Sequence, residues 1–513
     1  MTAQAIGRIL GPSAFVLTVV SSPPAGMPTE AWLVAGLVVW MAAWWMTEAV
    51  PLTVTALLPF IVLPFSNVSS ARQVASTYYS PILFLLLGGA FLALAIERTG
   101  LHKRLSLAIL RTVGVAGGQA QLLLAFMISA ALLSILISNT STSLIMMPMA
   151  LAVLSAGAAS PQATGSIGEA ASGDGTAAEG EVDKEGLSGA LPMGIAFAAS
   201  IGGLGTLVGS PTNAIAVGLL DSMIGVEITF IEWTIFGLPI VIVGVPLAAL
   251  IIAKFQRVTD HPFDVTAARR AIDTHAAWTR AEKRLIPIVA LTFLAWMTVP
   301  WIQPLLPDGS WTNGTIAIIA SFALFLLPDG TGRPLLIWTE ADRAPWGVIM
   351  MFGGGLALAA GMQASGLATW LAEALLPLET LPLIAVALAV VAMIVVITEF
   401  ASNVATATGI IPVVASLVVA LGADPLLLAM PAALAASWGF MLPAGTGPNA
   451  IAWSTGRIRI ERMVGAGLVL DVLGIFLIVF LTGQFQVTSR CPQISRQQGF
   501  RIGKALNCLI VCL

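Results

Sequence analysis

Long apolar runs separated by short polar loops dominate the pattern of this chain. A run of about 20 apolar residues crosses a bilayer as a helix. The pattern predicts spans at about residues 5–21, 31–47, 51–65, 80–100, 190–225, 233–253, 285–305, 314–328, 345–375, 428–456 and 465–485. Two further apolar stretches, 122–156 and 384–420, are interrupted near their middles by Ser138-Asn139-Thr140 and Ser402-Asn403-Val404.

Each interrupted stretch leaves about 16 residues on either side of its polar island, which is short of a full crossing at 1.5 Å per residue. We therefore expect two re-entrant hairpins, with Ser138-Asn139 and Ser402-Asn403 at their tips. The alternative is two plain spans in each stretch, which would change the parity of the topology.

Composition and charge fit an all-α polytopic membrane protein. The 513 residues are 58% apolar and only 10% charged, with a mean hydropathy of +0.95, which excludes an ordinary soluble domain. Eleven spans with a cytoplasmic N-terminus place 18 of the 23 Lys and Arg residues on the cytoplasmic side. This bias follows the positive-inside rule and predicts a multi-pass protein of the cytoplasmic membrane.

The chain repeats three landmarks in the same order. Gly88 through Leu101 matches Gly354 through Leu367, Ser138-Asn139 matches Ser402-Asn403, and Asn213 matches Asn449. Five spans per repeat is an odd number, so the second copy enters the membrane upside down, as in many transporters. The predicted segments are a lead helix (1–30), a first repeat (31–253) with a cytoplasmic linker (157–188), a connector (254–284), a second repeat (285–486) and an atypical tail (487–513).

Two spans are interrupted by glycine and proline, at 205–213 within 190–225 and at 443–449 within 428–456. Such breaks free backbone carbonyls, which need partners at membrane depth. A dehydrated hard cation such as sodium, surrounded by carbonyl, hydroxyl and amide oxygens, satisfies them. The predicted ligands are Ser134, Ser138, Asn139 and the Gly209 carbonyl for one sodium ion, and Thr398, Asn403 and the Ala401 and Gly445 carbonyls for another.

Neutral donors between these two shells suit a small anion: Asn139, Thr140, Ser210, Asn403 and Thr446. Helices that restart after each break also direct partial positive charge inward. Because no Lys or Arg is close in sequence to either island, bound cations would supply the countercharge. An anion that binds well only after sodium has a physical reason to be coupled to it.

A lone Ser-Asn-Thr in a membrane helix is more often an interhelical contact than a site. Two copies, each paired with a broken helix, favour a site. The predicted spans hold no histidine, no paired aspartates and no Gly-x-Ser-x-Gly, which argues against an enzyme. Discrete sites argue against a passive channel, and no feature predicts nucleic-acid binding. Glu399 is as consistent with a structural hydrogen bond as with ion binding, and Asp471 has no assigned role.

At these residues the chain resembles the divalent-anion/sodium symporter family. The resemblance covers about residues 10–485 and rests on 47–52 (TEAVPL), 398–403 (TEFASN) and the two broken-helix segments. It implies a homodimer in the lipid bilayer, with scaffold and elevator-type transport domains and clamshell-shaped sodium sites. It also implies that Ser138, Asn139 and Thr140, together with Ser402 and Asn403, contact substrate carboxylates.

The chain departs from the family pattern at Val404, where threonine is frequent, at Gly447, where proline is common, and at Gly445, where alanine is common. We predict a sodium-coupled symporter of C4-dicarboxylates such as succinate, malate or fumarate. The alternatives are a dicarboxylate or anion exchanger not driven by sodium, and a citrate or sulfate carrier on the same fold.

Overall fold

The part of the chain that the structure describes consists of helices joined by turns and loops. A computed structural model gives the positions of residues 2–113, 118–158, 184–272, 277–422 and 424–489. Within these ranges no strand occurs, and the single β-bridge joins Pro328 to Pro334. The expectation of an all-α polytopic protein is confirmed.

Ten described helices are long and apolar enough to cross a membrane, and a bent pair, Arg280–Met297 with Val299–Leu305, makes eleven. Their outer faces carry exposed residues such as Leu250, Leu291 and Phe480, as a lipid-facing surface would. The ten are Ala3–Val20, Thr29–Thr47, Pro81–Thr99, Asn139–Ala158, Gly186–Gly205, Phe230–Phe255, Trp346–Ala364, Leu383–Phe400, Asn403–Leu421 and Ile460–Gly483, the last within a helix that continues to Ser489.

Shorter helices complete the bundle. The α-helices are Leu52–Thr55, Leu58–Phe65, Ala71–Thr77, Leu101–Val113, Gln119–Ser134, Pro211–Ile224, Val265–Ile272, Val299–Ile302, Asn313–Leu326, Trp338–Ala341, Leu367–Leu375, Pro425–Ala435 and Gly447–Ser454. The 3₁₀ turns are Gly203–Gly205, Gln303–Leu305 and Leu376–Thr380.

Three spans that were not predicted to be broken are not single straight helices. The stretch 51–65 divides into Leu52–Thr55 and Leu58–Phe65. The stretch 345–375 divides at Gly366, whose φ of +82° ends one helix before Leu367 begins the next. Glycine adopts this left-handed conformation without the steric penalty of a Cβ. The stretch 285–305 bends by 64° at Thr298, just before Pro300 in the next short helix.

Each polar island joins two helices end to end, as expected for the tips. The arms contain 16 and 20 residues around the first island, and 18 and 19 around the second. Three of the four arms are thus longer than the predicted length of about 16 residues, and at 1.5 Å per residue they reach about 27–30 Å. Whether the arms re-enter or cross the membrane stays a prediction, because helix lengths alone fit both.

Counterpart spans of the two predicted repeats make counterpart contacts. Pro81–Thr99 packs on Asn313–Leu326, and its counterpart Trp346–Ala364 packs on Leu52–Phe65. Each pair therefore joins one repeat to the other. Glycines permit both contacts, since a Cβ at Gly88 would be 2.6 Å from Ala317 and a Cβ at Gly354 would be 2.6 Å from Ala56.

The helix Gly186–Gly202 lies at the centre of the first repeat and is buried along almost all of its length. An ion cluster fixes its N-terminal end: Glu185 contacts Arg459 at 3.1 Å, Arg462 at 2.5 Å and His261 at 3.1 Å. Desolvation alone would raise the pKa of Glu185, but Arg462 and Arg459 hold it below its usual value. The cluster ties the first broken helix to the start of the last helix.

Two predicted segments lie partly outside the described residues. In the linker 157–188 the described residues are 157–158 and 184–188, and in the tail 487–513 they are 487–489. The other proposed segment boundaries remain predictions.

Candidate functional site

Four helix N-termini converge on one cavity of about 490 Å³. All seven predicted anion ligands line it: Ser138, Asn139, Thr140, Ser210, Ser402, Asn403 and Thr446. An uncompensated helix N-terminus carries roughly half a positive charge and exposed backbone donors, so such a cavity attracts anions. The four helices are Asn139–Ala158, Pro211–Ile224, Asn403–Leu421 and Gly447–Ser454.

Each of these helices is preceded by an N-cap residue. The four N-caps are Ser138, Ser210, Ser402 and Thr446. Each hydroxyl oxygen accepts from a backbone N–H in the first turn, which leaves its own hydrogen as a donor. The Ser138 hydroxyl donates that hydrogen to Ser141 Oγ at 3.0 Å. The hydroxyls of Ser210, Ser402 and Thr446 accept but donate to no described group. The backbone donors are Ser141 at 3.2 Å, Thr212 at 3.4 Å, Ala405 at 3.2 Å and Asn449 at 3.1 Å. The hydroxyls of Ser210, Ser402 and Thr446 can therefore donate to a substrate carboxylate.

At the first tip, the Asn139 side chain sits among oxygens. Its Oδ1 accepts from Ser134 Oγ at 2.8 Å, and the same atom faces the carbonyl oxygens of Gly209 at 3.0 Å and Ala199 at 3.3 Å. Rotating the amide would let its nitrogen donate to both carbonyls. A cation among these oxygens would instead stabilise the first orientation, because hard cations take oxygen ligands. The residues present therefore fit a sodium ion.

The second tip repeats this arrangement. Thr398 Oγ1 donates to Asn403 Oδ1 at 3.0 Å, five residues apart as in the first tip, and is also 2.9 Å from the Ala436 carbonyl. The Gly445 backbone is close to the carbonyls of residues 398 and 399, since a Cβ on Gly445 would be 3.3 Å from each. Ala401 is buried and extended beside the tip.

Two carbonyl oxygens in these shells, those of Ala199 and Ala436, were not predicted from the sequence. The break that contains Ala436 also starts earlier than expected. The helix ends at Ala435 rather than near Pro443, and Trp438 Nε1 donates to Leu470 O at 3.3 Å within the unwound segment.

Two asparagines brace the broken helices. Asn213 Nδ2 donates to the carbonyls of Gly203 at 2.7 Å and Thr206 at 2.8 Å, and Asn449 Nδ2 donates to the carbonyl of Leu442 at 3.1 Å. Their amides satisfy carbonyls that the breaks release from the helical ladder, as buried backbone requires. The sequence marked these asparagines as repeat landmarks without assigning them this role.

Glu399 joins the second tip to the second broken helix. Its carboxylate oxygens accept from the backbone N–H groups of Met441 at 2.9 Å and Leu442 at 2.8 Å, so the structural interpretation fits. Asp471 is buried beside this carboxylate.

The departures from the expected pattern have different structural consequences. A Cβ at Gly447 would lie 2.6 Å from Thr140 Oγ1, so glycine lets the first tip approach the second broken helix. Val404 lines the cavity without a hydroxyl. The second tip therefore offers one donor fewer than the first.

Comparison with known proteins decides the family. The model for the sodium:sulfate symporter transmembrane region matches residues 4–487. The chain belongs to this family. The predicted relationship to divalent-anion/sodium symporters is confirmed, and so is the expectation of a carrier rather than an enzyme, because this is a family of symporters.

Two curated members of the family are similar over nearly their whole length. The sodium-dependent dicarboxylate transporter SdcS of Staphylococcus saprophyticus is 38% identical over 488 residues, covering 93% of this chain and 90% of the relative. SdcS of Staphylococcus aureus is 36% identical over 487 residues, covering 94% and 91%. A solved structure, the YdaH transporter of Alcanivorax borkumensis, matches with a TM-score of 0.53 at 15% identity, covering 90% of this chain and 98% of YdaH, and supports the fold alone.

Proposed function

We propose that this family member is a sodium-coupled symporter of C4-dicarboxylates in the cytoplasmic membrane. The observation that carries the proposal is the pair of matching oxygen clusters, Ser134 with Asn139 and Thr398 with Asn403, on either side of one anion-attracting cavity. The two similar SdcS proteins, whose names describe sodium-dependent dicarboxylate transport, support the same substrate class.

Coupling follows from the orientation of the tip amides. An asparagine whose oxygen faces a sodium ion has its nitrogen free to donate elsewhere. Asn139 and Asn403 both line the cavity, where such a nitrogen would meet a substrate carboxylate. Without sodium, rotation of the Asn139 amide would satisfy the Gly209 and Ala199 carbonyls and turn an acceptor toward the anion. Sodium thus adds positive charge and also selects the binding orientation.

The walls of the cavity suit an elevator mechanism, which the family resemblance implies. The tips and broken helices contribute most of the polar lining residues, whereas the helices Pro81–Thr99 and Trp346–Ala364 contribute apolar ones such as Leu86, Ala90 and Ile349. A polar site can slide past an apolar surface without breaking hydrogen bonds to it. In this proposal the helices Pro81–Thr99 and Trp346–Ala364 belong to the static scaffold, which also forms the homodimer contact.

Uptake of radiolabelled succinate into proteoliposomes tests the function. An inward sodium gradient should drive accumulation above equilibrium, and potassium or choline should not. Uptake that ignores sodium but requires internal dicarboxylate would instead identify an exchanger. Competition with unlabelled citrate and sulfate would show whether another anion binds better. This comparison is needed because the family name includes sulfate and because Val404 leaves the second tip without one hydroxyl donor. No succinate flux from folded protein would refute the C4-dicarboxylate proposal.

A further inference from the structure

Two charged side chains line the otherwise neutral cavity. Among the described lining residues, Arg343 and Glu97 are the only ionisable ones. The sequence analysis assigned neither residue to the site, and 246 positions separate them in sequence. The fold brings both to the cavity that contains the two polar tips.

Arg343 has an unusually free guanidinium. The residue is exposed in the turn before Trp346–Ala364, and the one described hydrogen bond of its guanidinium is from Nε to the Glu340 carbonyl at 3.4 Å. Its neighbours differ: Arg98 contacts Asp329 and Glu340, and Arg333 contacts Glu340. No described carboxylate pairs with Arg343, so both Nη groups are left for a ligand in the cavity.

Glu97 is half-buried near the C-terminal end of Pro81–Thr99, and its carboxylate makes no described hydrogen bond or ion pair. Two opposite charges that share a cavity without pairing normally indicate that each is solvated or serves another ligand. The proposed substrates supply both partners, since a dicarboxylate is an anion and sodium is a cation.

We propose that Arg343 binds one carboxylate of the substrate at the mouth of the cavity, before the tips receive it, and that Glu97 opposes the anion and attracts sodium at the same mouth. This inference rests on the proposed function. A guanidinium forms strong, charge-assisted hydrogen bonds with carboxylates, and near solvent such a contact changes affinity modestly. Arg343 is therefore a specificity residue for dianions on the side to which the cavity opens.

The test compares Arg343→Gln, Arg343→Lys and Glu97→Gln with the unaltered protein, using succinate uptake and sodium titrations. Arg343→Gln should raise the KM for succinate about three- to tenfold, with little change in maximal rate. Arg343→Lys should recover part of the loss, because it retains the charge without the planar fork. Glu97→Gln should act in the opposite direction on succinate, lowering its KM, and should raise the sodium concentration for half-maximal uptake.

Two further measurements separate recognition from a structural role. The KM of the unaltered protein should rise as choline chloride screens the mouth, and Arg343→Gln should lose much of that dependence. The same variant should discriminate less between succinate and its monomethyl ester as competitors. Arg72→Gln, an exposed arginine that does not line the cavity, is the matched control and should match the unaltered protein.

An unchanged KM and salt dependence in Arg343→Gln would overturn the inference while leaving the transport proposal intact. A fall in maximal rate alone would also overturn it, by assigning Arg343 a structural role. If the unaltered protein carries neither succinate, citrate nor sulfate, the proposed function fails, and the inference fails with it.

Discussion

Replacing Asn139 with alanine removes the central oxygen of the first cluster. The side chain is buried, with 8% of its surface exposed, and its Oδ1 lies within 3.3 Å of Ser134 Oγ and the Gly209 and Ala199 carbonyls. Alanine leaves these three oxygens without the amide. The variant should lose sodium affinity first, and succinate affinity as a consequence.

The size of the effect follows from the loss of one charge-assisted contact in a buried site. Such a contact contributes about 1.5–3 kcal/mol. At 1.4 kcal/mol per factor of ten, the sodium concentration for half-maximal uptake should rise roughly 10- to 150-fold. Asn139→Asp keeps an oxygen toward the cation and should retain more sodium affinity than Asn139→Ala.

The assay is sodium-dependent succinate uptake by purified protein in proteoliposomes, titrated in sodium at several succinate concentrations. Thermal unfolding in detergent, with and without sodium, reports binding independently of transport, because a ligand that binds the folded state raises its stability. Asn313→Ala is a suitable control: it removes an amide at the start of Asn313–Leu326, outside the cavity.

An Asn139→Ala protein with normal sodium dependence in both measurements would refute the first ion shell. The opposite ranking, with Asn139→Asp unfolding and Asn139→Ala still binding sodium, would show that the amide nitrogen rather than the oxygen faces Gly209. That outcome would place the cation elsewhere.

Three other outcomes are expected. Asp471→Asn should preserve uptake, because an amide of the same size can donate to the Glu399 carboxylate, and an inactive but stable variant would contradict this. Glu399→Gln should lower the unfolding temperature, because it weakens acceptance from the two backbone N–H groups of Met441 and Leu442. Thermal unfolding and uptake are measured for both variants. Val404→Thr should lower the KM for succinate about three- to tenfold by adding a hydroxyl donor. An unchanged KM would exclude a contact between residue 404 and the substrate. Burial would raise the pKa of Asp329, but hydrogen bonds and Arg98 hold it below its usual value. The stabilisation that this carboxylate contributes should therefore be complete above pH about 4 and decline below it. Arg98→Gln should flatten that decline in thermal unfolding measured against pH.

The chemically conspicuous parts of the site could be predicted from sequence. Polar residues and Gly/Pro breaks inside apolar runs are costly at membrane depth, so Asn139, Asn403 and Gly209 stand out without any structure. The sequence repeat predicted that the two tips form one site, and Asn139 and Asn403 both line the same cavity.

Other parts leave no such signal. A backbone carbonyl has no residue type, so Ala199 and Ala436 could not be identified. Arg343 looked like an ordinary loop arginine, since its position at the cavity depends on packing between distant helices. The division of 345–375 could have been predicted, because Gly366-Leu367 matches Gly100-Leu101, and both glycines adopt φ near +80°.

The charge balance of the cavity gives the proposed symporter a reason to need sodium even though four helix N-termini line the cavity. Each terminus contributes at most about half a unit of charge, and the effect weakens within one turn. Their cap hydroxyls at Ser138, Ser210, Ser402 and Thr446 already satisfy one N–H apiece, which reduces the exposed donor set. Dipoles alone should therefore hold a dianion weakly, and two bound cations shift the balance toward binding. In the proposed symporter the same amides serve cation and anion, so neither ligand would reach full affinity without the other, which would be the thermodynamic basis of coupled transport.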